Sequence, residues 1–284
     1  RANAGAATIR NRARDAVRND WAARAIIQRW SSSLVGTGIM ARPKTADPAF
    51  KARQVQLWED WMRVADADGV LDFYGMQSLA VESWKESGEI FLRLRPRLPA
   101  DGLPVPLQVQ LLEADMVPCT DSTAPNGNAI VQGIEFNRIG TRVAYWMLRN
   151  HPGDGRGDTG TLVRVPAEYV IHLYKPTRPG QLRGVSELAN VIAKLRGVAD
   201  FDAAVLDRQK LANLFAGFVE RPPSGTDTAI DPLTGQPVAT DSDGTPMAAL
   251  EPGTMQELLP GEKVNFSAPP DAGANYADFT RSQY

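Results

Sequence analysis

Six short segments between residues 89 and 174 limit the fold more than anything else in this chain. They read EIFLRLRPR, LQVQLLEA, AIVQGIEFN, RVAYWMLRN, TLVRVP and EYVIHLY. Each has strand-like alternation or a β-rich composition, and turns rich in Gly, Pro, Asn or Asp separate them. EFNRIGTRVAYW predicts a hairpin around Asn137 to Gly140. Helical patterns come before and after this run and do not alternate with it. That order predicts an α+β fold with a mostly antiparallel sheet, not a βαβ repeat.

The helical patterns are distinct. From about Ala6 to Leu34, Ile9, Ala13, Val17, Trp21, Ile26, Trp30 and Leu34 recur at roughly helical spacing, which predicts one amphipathic helix stopped at Gly36 and Gly38. QVQLWEDWMRVAD places Leu57, Trp61 and Val64 on one face of a second helix, and DFYGMQSLAVESWKESG predicts a third ending at Gly88. Gly184 to Ala216 predicts the longest helix, with Ser186 as its cap and Glu187 in its first turn. Its apolar residues include Leu188, Val191, Ile192, Leu195, Val198, Val205, Leu206 and Leu214, and they cover more than one stripe. Such a helix must be covered on two sides, by its own domain or by neighbouring subunits. Gly197 costs about 1 kcal/mol relative to Ala there and permits a bend. Residues 221–251 are rich in Pro, Gly, Asp and Thr and predict a long irregular loop. ELLPGEKVNF then predicts two short strands about Pro260 and Gly261.

Length and composition bound the function classes. With 284 residues, 43% of them hydrophobic and 23% charged, the chain is long enough for one large or two ordinary folded domains. No run approaches the ~20 apolar residues of a membrane span, and RANAGAATIRNRARD lacks the apolar core of a signal peptide. Cys119 is the single cysteine, so no intrachain disulfide is possible. With only His151 and His172 besides, a zinc site would need carboxylates. Charge is unevenly spread. Residues 1–44 hold nine Arg/Lys against Asp15 and Asp20, a balance of +7, which leaves −9 for the rest of a chain of net charge −2. A basic segment containing Arg10, Arg12, Arg14 and Arg18 fits an anionic neighbour, either nucleic acid or another subunit's acidic surface, or simply a solvated helix face.

Motifs for catalysis fail on inspection. RPGQLRGVSEL, a glycine-punctuated loop entering a helix, has Arg183, Gly184 and Val185 where a phosphate-binding loop needs its lysine and hydroxyl. It predicts a structural turn, with Arg178 and Arg183 in ion pairs. DADG at Asp66 and DSDG at Asp241 lack the further ligands of a calcium loop. RGD at Arg156 is a three-residue coincidence. His172, inside VIHLY, predicts a packed and hydrogen-bonded residue, and Cys119 has no evident base. Carboxylates such as Glu113 and Asp115 leave a metal-dependent enzyme acting on nucleic acid as the alternative function. The expectation is therefore a structural or binding protein, not an enzyme, with no cofactor and no metal.

Read in order, several segments resemble the phage portal proteins of the lambda-like family. They are VRNDWAARAIIQRWSSSLVGTGI (17–39), WEDWMRVADADGVLDFYGMQSLAVESWKESGEIFLRL (58–94), LQVQLLEADMV (107–117) and IVQGIEFNRIGTRVAYWML (130–148). RVPAEYVIHLYKPTRPGQLRGVSELANVI (164–192), LEPGTMQELLPGEKVNFSAP (250–269) and NYADFTRSQ (275–283) continue the likeness. Such portals are longer, so the resemblance implies a chain trimmed at both ends. It also implies a ring, usually of twelve subunits, at one capsid vertex, through which double-stranded DNA passes without sequence preference. A separate terminase drives that passage, and head-completion and capsid or scaffold proteins are further partners. The location implied is the virion, with the host cytoplasm during assembly, and no membrane.

The fold implied has a wing of helices and sheet, a helical stem and a small α/β clip. By order along the chain, residues 1–180 correspond to the wing and 184–216 to the first stem helix. Residues 217–274 correspond to the clip, with the acidic insertion 221–251 inside it, and 275–284 to the start of a second stem helix. The resemblance places Leu188, Val191, Leu195, Val198 and Val205 at a subunit interface. Within 221–251, Asp227, Asp231, Asp241 and Asp243 against Arg221 alone make an acidic surface that fits docking of a basic partner, or simply an inert solvated loop.

Overall fold

The structure is a computed structural model that describes residues 3–153, 160–214, 218–220, 263–265 and 281. Two compact units divide the chain, 1–195 and 196–284. In the first unit, helices α1 (Asn3–Asn19), α2 (Trp21–Leu34), α3 (Pro48–Met62) and α4 (Phe73–Ser87) precede strands β1 (Glu89–Pro96) to β8 (Val170–Tyr174). The expected order of helices and then antiparallel strands is thus present. The strands form two sheets where one was expected.

β1 lies between β2 (Leu107–Glu113) and β8, antiparallel to both. A five-stranded antiparallel meander runs β3 (Ser122–Thr123), β4 (Ala129–Val131), β5 (Ile134–Phe136), β6 (Arg142–Leu148) and β7 (Leu162–Pro166). AIVQGIEFN is therefore two strands and not one. Gln132 (φ 56) and Gly133 (φ 78) both adopt left-handed backbone and close a two-residue hairpin between β4 and β5. The hairpin at Asn137 forms as its sequence predicts, with the Asn137 side chain accepting from the backbone N–H groups of Ile139 and Thr141. Inward residues of both sheets meet in one core of Phe91, Leu112, Met116, Val117, Ile134, Tyr145, Met147, Val165 and Val170.

Three helical expectations need correction. The single helix expected over 6–34 is two helices. Asp20 takes extended backbone and its carboxylate accepts from the N–H groups of Ala22 and Ala23, so it caps a new helix in place of continuing the old one. In the second, Trp61 is buried but Leu57 and Val64 are 44% and 36% exposed. Packing of Trp58 and Trp61 against Phe73 rotates the buried face away from them. The third helix runs as expected, from the Asp72 cap to Gly88 at φ 89.

The long helix does not start at Gly184. Ser186 is extended, its hydroxyl accepts from the Leu188 N–H, and a 3-10 turn spans Glu187–Asn190. The α-helix proper, α5, is Ile192–Leu214. In the second unit β9 (Phe218–Glu220) pairs antiparallel with β10 (Lys263–Asn265). The strand expected within EKVNF therefore finds its partner at FVE, while the other half of ELLPGEKVNF, the insertion 221–251 and most of 275–284 lie outside the described residues.

Candidate functional site

The loop that raised the question of a phosphate site, residues 178–186, turns its one inward arginine into the protein. Arg183 is 4% exposed and lies against Glu89, the first residue of β1, which is 1% exposed. The Arg183 Nε donates to Glu89 Oε1 and Oε2 at 2.9 Å each, and Nη2 stands 2.7 Å from Oε1. Its remaining donors reach backbone carbonyls: Nη1 to Val117 and Gln132 at 2.9 Å, and Nη2 to Ala114 at 3.1 Å. One guanidinium thus ties the loop to β1, to the turn after β2 and to the β4–β5 hairpin. The planar fork of arginine makes this possible; a lysine would not serve.

Glu89 is equally well satisfied. It also accepts from the Gly184 N–H at 2.9 Å and from His172 Nε2 at 3.0 Å. Burial pushes this carboxyl up, but the His172 hydrogen bond together with the charge and hydrogen bonds of Arg183 outweigh it and hold the pKa to about 2. Ionised Glu89 assigns the His172 proton to Nε2, leaving Nδ1 buried with no hydrogen-bond partner. His172 stacks on Phe91 and Tyr174, with ring centroids 4.2 and 4.4 Å apart. Burial dominates and pushes its pKa below the ordinary value. His172 is the packed, hydrogen-bonded residue its sequence context predicts.

Helix α1 extends the cluster. Arg10, 5% exposed, donates to Asp115 at 2.7 Å and stands 3.9 Å from Glu89. Arg14 pairs with Glu113 at 2.6 Å and with Asp115 at 2.7 Å. Two of the four arginines expected to face an anionic neighbour are therefore engaged inside the fold, while Arg12 and Arg18 are exposed. The same contacts bear on the carboxylate alternative. Glu113, Asp115 and His151 do converge, with one ligand atom from each within 4.8 Å of the others. Arg10 and Arg14 occupy those carboxylates as ion pairs, and burial of Asp115 is outweighed by their charges, which lower its pKa. These ion pairs tie α1 to the end of β2 and the turn after it. Arg178, expected in an ion pair, is exposed and enters none among the described residues.

A second tether holds the start of the long helix. The Lys85 side chain is buried on α4, with Nζ 4.2 and 4.1 Å from the ring centroids of Trp30 and Trp84. The same Nζ meets Glu187 Oε1 at 3.2 Å. Leu188 is 1% exposed and belongs to a core cluster with Ala13, Ala23 and Ile27, so it is interior and not a subunit surface. Val191 and Leu195 pack partly against that cluster, Val198 is buried and Val205 half-buried. Asp227, Asp231, Asp241 and Asp243 lie outside the described residues. Sequence reasoning missed Glu89 and Lys85. The available signal was a charged residue at a position where strand and helix patterns both call for an inward side chain.

The chain is similar to a probable portal protein of Halomonas phage phiHAP-1, 25% identical over 288 residues, which cover 97% of this chain and 54% of the relative. It therefore spans about half the length of that curated relative. Among solved structures it is similar to a chain in the virion of a native gene transfer agent particle, with TM-score 0.49 and 11% identity over 98% of this chain and 64% of that one. A chain in the neck of the native particle, computed with C12 symmetry, gives TM-score 0.46 and 12% identity over 91% and 71%. At these scores neither likeness carries weight on its own. The model of the lambda family of phage portal proteins matches residues 1–284, and the chain belongs to that family.

Proposed function

We propose that this chain is part of a portal subunit, which assembles as a closed ring at one capsid vertex and conducts double-stranded DNA during packaging and ejection. The observation that carries this reading is the match of the portal family model over all 284 residues. In this reading residues 1–180 are the wing, 184–216 lead into and form the first stem helix, 217–274 are the clip, and 275–284 begin a second stem helix. The ring has twelve subunits, works in the virion after assembly in the host cytoplasm, and performs no catalysis. Terminase, head-completion proteins and capsid or scaffold proteins are its partners. The acidic stretch 221–251, with Asp227, Asp231, Asp241 and Asp243, is the docking surface for a basic partner.

Two features support a mechanical role. Arg183 and Lys85 anchor the segment that enters α5 to both the sheet and the helices, which suits an element that must hold position under load. The exposed side chains of α5, such as Leu206 at 56%, remain for contact with neighbouring subunits.

Solution mass and electron microscopy of the full-length protein test the reading. A large closed ring supports it, whereas a monomer with magnesium-stimulated nuclease activity would overturn it. Deleting residues 226–245 from the full-length protein should weaken terminase binding while leaving the ring intact; unchanged binding and packaging would remove the docking role.

A further inference from the structure

On the first unit, α3, the segment 40–43 and the start of β2 enclose an open groove of about 800 Å³. Met40, Val55, Leu57, Trp58, Trp61 and Tyr74 supply its apolar wall. Around it the surface stays apolar, with Ile39 61%, Met40 62% and Phe50 51% exposed. A patch of this kind on a folded protein usually marks a contact surface. Arg42 and Lys51 line the same groove, against Glu59 as its one acid. Neither cation belongs to an ion pair among the described residues. The groove is therefore an apolar socket whose basic lip enters no ion pair among the described residues.

A matching projection follows the C-terminus of α3. Lys51 sits in the first turn of this 15-residue helix, which at 1.5 Å per residue is about 22 Å long. Past its C-terminus the chain wraps around the buried Asp66 carboxylate, which accepts from the N–H groups of Asp68, Val70 and Leu71 at 2.9–3.0 Å. Those bonds hold a preformed loop. Val70 at its tip is 79% exposed, the most exposed large apolar side chain among the described residues. Asp68 and Asp72, both exposed, flank it.

We propose that the groove receives the Asp68–Asp72 loop of a second copy of the chain. Val70 enters among the apolar side chains, and the flanking carboxylates face Arg42 and Lys51. The basic lip of the socket and the acidic flanks of the projection are of opposite charge. In a closed ring each copy gives its loop to one neighbour and its groove to the other, so the contact is head-to-tail and propagates from copy to copy. This inference rests on the ring reading and names two surfaces that meet between neighbouring subunits.

The test uses the full-length protein. In a background where Cys119 and any other cysteine of the full-length protein are replaced by Ala, Val55→Cys combined with Val70→Cys should give an oxidised ladder of covalent multimers, while each single cysteine variant should not. Lys51→Glu and Val70→Asp, both at exposed positions, should each raise the concentration needed for assembly by about tenfold, as loss of a charged or buried anchor does at an interface. Their unchanged thermal melting would show that the subunit still folds. Absence of the ladder together with unaltered assembly of both variants would overturn this contact while the parent ring remained. A parent that never assembles would overturn the ring reading and this contact with it.

Discussion

Gly184 and Gly88 pass so close that a Cβ on either would penetrate the backbone of the other segment: that of Gly184 would meet the Gly88 carbonyl, and that of Gly88 the Val185 backbone. Gly88 also needs its positive φ of 89 to end α4, whereas Gly184 has no such need. Its role is space. Close approach here is what allows the Gly184 N–H to reach the buried Glu89 carboxylate.

Gly184→Ala should therefore destabilise the protein by about 1–3 kcal/mol, the usual cost of overpacking, because both obstacles are backbone. Gly197→Ala is the opposite case. It lies inside α5 with open space around the missing Cβ, and the change should stabilise by up to about 1 kcal/mol. Chemical denaturation of the two variants checks both signs. Equal effects would refute the close-approach account.

Glu89→Gln keeps the shape but removes the charge opposite Arg183. A buried guanidinium left uncompensated typically costs about 3–5 kcal/mol, and the expected loss is of that size. Arg183→Lys should be nearly as damaging despite conserving charge, since an ammonium cannot span Glu89 and three carbonyls in different segments. If Arg183→Lys melts like the parent, the fork geometry is unimportant.

Acid should weaken the first unit in two stages. His172 has its pKa lowered by burial, so the unfolded chain binds that proton more readily. Its contribution to stability is complete above the unfolded value, about 6.5, and declines as pH falls below it. Glu89 then contributes stability that is present above 4.5 and is lost as pH falls toward about 2. Melting temperature against pH should show both declines in the parent. The Glu89→Gln variant should show a shallower lower decline, with the remainder due to Glu135, whose carboxyl the Arg164 hydrogen bond holds to about 2.

Duplex DNA should bind the full-length protein without sequence preference and with steep salt dependence, through the exposed Arg12, Arg18, Arg24 and Arg29. Replacing these four by Ala should flatten the plot of log K against log salt, by about 0.9 in slope for each phosphate that is no longer neutralised. Arg10→Ala and Arg14→Ala should leave that slope almost unchanged and lower stability instead, because their partners are Glu89, Glu113 and Asp115. A footprint at one preferred sequence at physiological salt would contradict the expectation.

Local patterns in the sequence determined the elements. Alternation in residues 89–174 is a property of successive residues, so the strands and the Asn137 hairpin were legible, as were α4 and its Gly88 stop. The Asp20 break was weaker as a signal, because Ala13, Val17 and Trp21 continue a helical spacing across it while the cap acts through one carboxylate. The order of segments also sufficed for family resemblance, which depends on sequence alone.

Which residues face each other was decided only by the tertiary structure. Glu89 and Arg183 are 94 residues apart and Arg10 and Asp115 are 105 apart, and nothing local distinguishes a charge that will be buried from one that will be solvated. The basic N-terminal segment reads the same whether its arginines meet DNA or internal carboxylates; the packing of α1 against α2 and α4 turns Arg10 and Arg14 inward and leaves Arg12 and Arg18 outside. Gly184 reads as a turn residue until Gly88 is folded against it. Burial and ion pairing depend on long-range contacts formed by the whole unit, and periodicity along the chain carries no record of them.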